Sequence, residues 1–134
     1  MGTFSVKVRL RNWQNRFLPE DQRGEEVVCD AIVDSGATEL AIPSDVVERL
    51  RLVELDKTTA YNADGRRREY RVTGMVELEV EGRRCQVRAV ELPAGARPLL
   101  GSYPLEEMDW HIDPSCGRLV PSPQSPDRPM ILLC

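Results

Sequence analysis

The run "AIVDSGATELAIP", residues 31–43, sets one carboxylate, Asp34, at the end of an apolar stretch and directly before a Ser-Gly turn. A carboxylate placed there can act as a general base, or as a general acid when protonated. One such group supplies only half of a hydrolytic reaction. Two of them face to face cannot both ionise, so the pair shares a proton. The ionised member can then activate a water while the protonated member polarises a carbonyl. That is peptide hydrolysis without a metal or a covalent intermediate. The chain holds a single Asp-Ser/Thr-Gly: Asp64-Gly65 lacks the middle hydroxyl, and "DPSCG" has the wrong spacing. A pair therefore needs two copies of the chain. A two-fold axis between identical loops would bring Asp34 against its own copy. The plainer reading is that Asp34-Ser35-Gly36 is only an Asx-type turn between strands.

The elements around this turn read mostly as strands. "TFSVKVRL" alternates, with Phe4, Val6, Val8 and Leu10 on one face. "EEVVCDAIVD" is nearly continuous in apolar residues, which predicts a strand buried on both sides. "GMVELEVEGRRCQVRAVEL" predicts two strands joined at Glu81–Gly82, and "YNADGRRREY" carries Asp64-Gly65, a tight-hairpin signal. Helical signals are few. "PSDVVERLRL" offers Ser44 as an N-cap, and "SYPLEEMDW" predicts a short helix starting near Ser102 with Pro104 just inside it. "PSPQSPDRP", residues 121–129, reads as extended or loosely held, and an apolar "MILLC" follows. No repeat or second domain is visible. The expectation is one all-β domain over residues 1–134, a barrel or sandwich with one or two short helices.

Composition narrows the function. The chain has 134 residues and a net charge of −4, with both signs scattered. That argues against nucleic acid as the partner, which needs a concentrated basic face. The basic run "GRRREY" reads as a solvated hairpin. No apolar run approaches the ~20 residues that cross a bilayer. The start lacks a secretory apolar segment, and Val6 stands where N-myristoylation needs Ser or Thr. A soluble, cytoplasmic protein with no membrane partner is expected. Four cysteines, Cys29, Cys85, Cys116 and Cys134, form no Cys-x-x-Cys pair, and His111 is the only histidine. Neither a metal nor another cofactor is expected. Cys29 and Cys85 read as small core residues and Cys134 as an exposed thiol.

Three stretches together resemble the retropepsin-type aspartic proteases, the single-domain homodimeric class that includes retroviral proteases and their cellular and bacterial relatives. They are "AIVDSGATELAIP"; "YNADGRRREY", where that family places its flap hairpin; and "RPLLGSYPLEEMDWHIDPSCGRLV", similar to its late apolar-apolar-Gly segment, short helix and closing hairpin. The resemblance implies a closed or partly open β-barrel of the acid-protease type, a homodimer and a polypeptide substrate. It implies that Asp34 is catalytic, one from each protomer, and that Ser35 braces the two loops across the dimer. Gly36, Ala37 and Thr38 would complete the active loop. Tyr61, Asn62, Ala63, Asp64 and Gly65 would belong to the flap over an extended substrate. Leu99, Leu100 and Gly101 would pack beneath the loop, with Leu100 in the core. Ile32, Val33, Ala60, Tyr61 and Leu99 are candidates for lining specificity pockets. Ala37 lacks the hydroxyl that would favour the ionised carboxylate, which implies a mildly acidic working range.

The chain also departs from the family pattern. Ser102 and Tyr103 follow Gly101 where the family has a charged or polar residue and then Asp or Asn, so an arginine brace to the active loop is absent or supplied elsewhere. "TFSVKVRL" and "MILLC" are candidates for a dimer sheet built from chain ends. The alternative function is a catalytically silent module that keeps the fold for dimerisation or peptide binding. A glycosidase using Glu25-Glu26 or Glu106-Glu107 is the weakest reading, because adjacent acids on a strand point to opposite faces.

Overall fold

A computed structural model describes residues 3–130. Strand β1 (Phe4–Asn12) alternates as its sequence predicts: Val8 and Leu10 are fully buried, while Lys7 and Arg9 point to solvent. It pairs antiparallel with β2 (Val27–Val33), Phe4 opposite Val33 and Leu10 opposite Val27. Four further strands complete the ring: β3 (Leu40–Pro43), β5 (Arg67–Val80), β6 (Arg83–Leu92) and the two-residue β7 (Leu99–Leu100). The order is β1-β2-β7-β3-β6-β5, and β1 pairs again with β5 through Arg9–Asn12, which closes a six-stranded barrel. Closure leaves these strands no free edge along the shared segments.

β5 is too long to stay within the barrel. Its ladder with β6 breaks between Thr73 and Val76, and beyond that bulge it runs out with β4 (Glu54–Tyr61) as a projecting hairpin. β4 pairs only with β5 and is exposed along most of its length. The second hairpin turn, between β5 and β6, falls at Glu81–Gly82, both at positive φ (48° and 85°). That backbone twist matches the strands it joins. A separate two-stranded sheet, β8 (Trp110–Asp113) with β9 (Arg118–Pro121), follows helix α2 (Ser102–Glu107).

The barrel interior is aliphatic. Val8, Leu10, Val27, Leu40, Ile42, Leu78 and Leu100 meet there, and helix α1 (Ser44–Leu50) adds Val46, Val47 and Leu50. Cys85 belongs to this core, and burial pushes its thiol up to about 12, so it stays uncharged. Cys29 is only half-buried. One polar side chain locks α1 to β1. Asn12, 4% exposed, donates through Nδ2 to the carbonyls of Leu50 (3.2 Å) and Arg51 (2.9 Å), and its Oδ1 accepts from the Gln14 N–H (2.9 Å). Asn12→Leu would strand three backbone groups, so a loss of about 3 kcal/mol is expected, read as a lower urea midpoint with unchanged slope.

Three expectations are corrected. β2 is not buried on both sides, because only its inner face meets the core; Val28 and Asp30 are exposed on the outer face. Ser44 is the first residue of α1 rather than its cap; Pro43 holds that position and supplies no side-chain hydrogen bond. The proline-rich segment does not hang free. Arg83, buried and stacked over Trp110, donates to the carbonyls of Met108, Asp109 and Ser125, and Ser125 is itself buried. "TFSVKVRL" pairs with β2 from Phe4 to Leu10 and with β5 only from Arg9, so Phe4–Val8 are hydrogen-bonded to a neighbouring strand on one side among the described residues. Of "MILLC", only Met130 lies within the described residues; the rest, with the Cys134 thiol, lies outside them. No helix is long and apolar enough to cross a membrane among the described residues.

Candidate active site

Asp34 directly follows β2, and the loop 34–39 carries the chain to β3. The turn is tight. The Ala37 N–H donates to the Asp34 carbonyl (3.1 Å), and the Gly36 N–H donates to Asp34 Oδ1 (2.9 Å). The second bond is the Asx turn that the plainer reading predicts, and it also fixes the direction of the carboxyl group. Asp34 is half-buried, whereas Ser35, Gly36 and Thr38 are exposed. Among the described residues the Ser35 hydroxyl has no hydrogen-bond partner.

The loop is held from beneath by the chain around Gly101. The Asp34 N–H donates to the Leu100 carbonyl (3.1 Å). In return the N–H groups of Gly101, Ser102 and Tyr103 donate to the carbonyls of Glu39 (3.1 Å), Ala37 (2.9 Å) and Thr38 (2.9 Å). The last two are first-turn amides of α2, which have no partner inside the helix. The helix start and the loop thus satisfy each other. This answers where the brace comes from: backbone amides supply it, helped by an ion pair from Arg88 Nη2 to Glu39 Oε1 at 3.0 Å. Only glycine fits at 101. A Cβ there would lie 2.5 Å from the Glu39 carbonyl oxygen and 2.7 Å from Thr38 C.

Loop and hairpin enclose a cleft of about 420 Å³. Gly36, Ala37 and Thr38 form its near wall, and Ala41, Val90 and Leu99 form an apolar floor. The β4–β5 hairpin roofs it with Thr58, Ala60 and Tyr70. The hairpin tip is tied by Tyr70 Oη to Asn62 Oδ1 (2.7 Å) on one side. On the other, Arg67 Nε donates to Tyr61 Oη (2.9 Å) with its guanidinium 5.2 Å from the ring centre. Its turn closes through the Gly65 N–H to the Asn62 carbonyl, with Gly65 at φ 80°.

The sequence-predicted residues thus divide. Gly36, Ala37, Thr38, Tyr61, Asn62, Ala60 and Leu99 come together around the cleft. Ala63, Asp64 and Gly65 stand exposed at the hairpin tip beyond its walls. Leu100 is fully buried beneath the loop. Ile32 and Val33 do not line this cleft, and neither do Asp34 and Ser35: Val33 points into the core, and Ile32 lies along β2 beside β7. Sequence reasoning missed Glu39, Tyr70 and Arg88. Arg88 was open to discovery, since strand alternation sends it away from its core neighbours Val87 and Ala89.

Comparison with known proteins bears on this site. Residues 24–107, well over half of the chain, match the family described as "gag-polyprotein putative aspartyl protease". The fold is similar to the solution structure of the simian foamy virus (mac) protease, with a TM-score of 0.53 and 16% identity, over 77% of this chain and 92% of that one. No curated protein matches the chain in sequence.

Proposed function

The chain belongs to the gag-polyprotein aspartyl proteases, a retroviral-type family, and from that premise we propose that two copies assemble into one aspartic endopeptidase. The observation that carries this reading is Asp34 itself: a half-buried carboxylate on a loop braced from below, two residues before the Gly36–Thr38 wall of the cleft. A single Asp34 lacks its acid–base counterpart, and the sequence offers no second Asp-Ser/Thr-Gly. The counterpart is the Asp34 of a second copy, across a two-fold axis beside the loop. The exposed Ser35 hydroxyl, unpaired within the described protomer, is then placed to bond across that axis.

The chemistry follows from one shared proton. The ionised Asp34 takes a proton from water as the water oxygen bonds to the scissile carbonyl carbon. The protonated Asp34 gives its proton to the carbonyl oxygen, forming a tetrahedral diol. The first acid then returns its proton to the amide nitrogen, the C–N bond breaks, and the second acid recovers the diol proton. The hairpin acts as a flap that lies over the substrate and excludes other water. The Tyr70–Asn62 and Arg67–Tyr61 bonds keep its tip in shape.

This reading predicts a concentration-dependent enzyme. Cleavage of an unfolded polypeptide, expressed per subunit, should rise with protein concentration and level off where sedimentation shows the dimer. Full activity from isolated subunits at high dilution would refute it.

A further inference from the structure

Charge in the cleft is unevenly placed. On β6, Val87 and Ala89 face the core, so Arg88 and Val90 face the cleft. Arg88 uses Nη2 on Glu39, and a guanidinium carries five N–H donors in a planar fork. Its side chain keeps 53% exposure against 27% for Glu39, so spare donor capacity lies with the arginine.

A second cation stands beside the same space on the hairpin, beyond the residues that line it. The hairpin register sets Thr58 opposite Tyr70 and Ala60 opposite Arg68. Cross-strand partners share a face. Thr58, Ala60, Tyr70 and Val72 line the cleft together with Thr59 and Tyr61, and the register puts Arg68 on the face of Ala60 and Tyr70, one pair nearer the tip. It is exposed and has no carboxylate partner among the described residues. In a protein of net charge −4, the cleft wall thus presents Arg88 against one acid, Glu39 at the end of the active loop, and Arg68 lies just beyond the lining on the hairpin.

Resting on the endopeptidase reading for its occupant, we propose that this cleft selects an acidic peptide: one with an Asp or Glu side chain near the scissile bond, gripped by Arg88 from the wall and covered by Arg68 from the flap. A planar guanidinium matches a carboxylate bidentately. Under a closed flap that pair is shielded from water, so it discriminates more strongly than an exposed one. Glu39 keeps Arg88 in position and rejects a second acid at its own side of the wall.

The test uses random-sequence short peptides passed over immobilised Asp34→Asn protein, followed by wild-type cleavage of matched peptides differing only as Glu, Gln or Lys at the enriched position. Retained peptides should be enriched in Asp and Glu at one position, and Glu should exceed Gln about tenfold in kcat/KM, a preference that falls with salt. Arg88→Gln should level Glu and Gln without changing which bond is cut, and Arg68→Gln should reduce the preference in part. Enrichment of Lys, no retention of any peptide, or a Glu preference unchanged in Arg88→Gln would overturn the proposal. Selective retention of acidic peptides by a wild-type chain that cuts nothing would leave this inference standing and remove the endopeptidase reading instead.

Discussion

Asp34→Asn is expected to lower peptide cleavage by about four orders of magnitude, the upper range of what positioned acid–base groups contribute, while leaving fold and dimer intact. Asparagine has the same shape, and its Oδ1 can still accept from the Gly36 N–H, so the turn has no reason to open. The change removes the proton exchange and little else. Mixing gives a sharper form of the same prediction. Equal amounts of wild-type and Asp34→Asn chain, re-equilibrated, should retain about a quarter of the activity, because only dimers with two aspartates work under random pairing. If each subunit acted alone, about half would remain. The silent-module alternative predicts no cleavage from either protein together with undiminished dimerisation.

Gly101→Ala is the second large effect. The added methyl would meet the Glu39 carbonyl oxygen at 2.5 Å, the Glu39 nitrogen at 2.7 Å and Thr38 C at 2.7 Å. These are backbone atoms of the active loop, tied to residues 101–103 by the bonds that brace it. A flexible side chain could swing away; this backbone moves only by giving up those hydrogen bonds. Overpacking and bond loss together are expected to cost about 3 kcal/mol or more. Denaturant unfolding should show it as a lower midpoint, and at temperatures where the variant stays folded kcat should fall more than KM changes. A stability within about 0.5 kcal/mol of wild type would mean that loop and strand β7 are not packed this closely.

Much of the fold was legible because its signals are local. Alternation marks β1, and the Glu81–Gly82 and Asp64–Gly65 dipeptides mark turns that their positive-φ residues then form. The active loop was legible for the same reason, since Asp-Ser-Gly after an apolar strand specifies a tight turn. What stayed hidden depends on partners distant in sequence. The outer face of β2 looks apolar in the chain, and only the barrel decides that Val28 is exposed. Residues 121–129 read as loose because nothing local holds them; Arg83, from β6, does so at 2.6 Å to Ser125. The pairing of Arg88 with Glu39 spans 49 positions and appears only once β3 lies beside β6. "TFSVKVRL" has the pattern of any half-buried strand, so nothing in it tells a barrel strand from a dimer strand.

A crystal structure of the assembled protein, read for the separation of its two Asp34 carboxyl groups, is the most direct trial of the central claim. Inner oxygens within about 3 Å of each other are predicted, as for carboxylates that hold one proton between them. An assembly in which each Asp34 faces solvent alone would contradict the account.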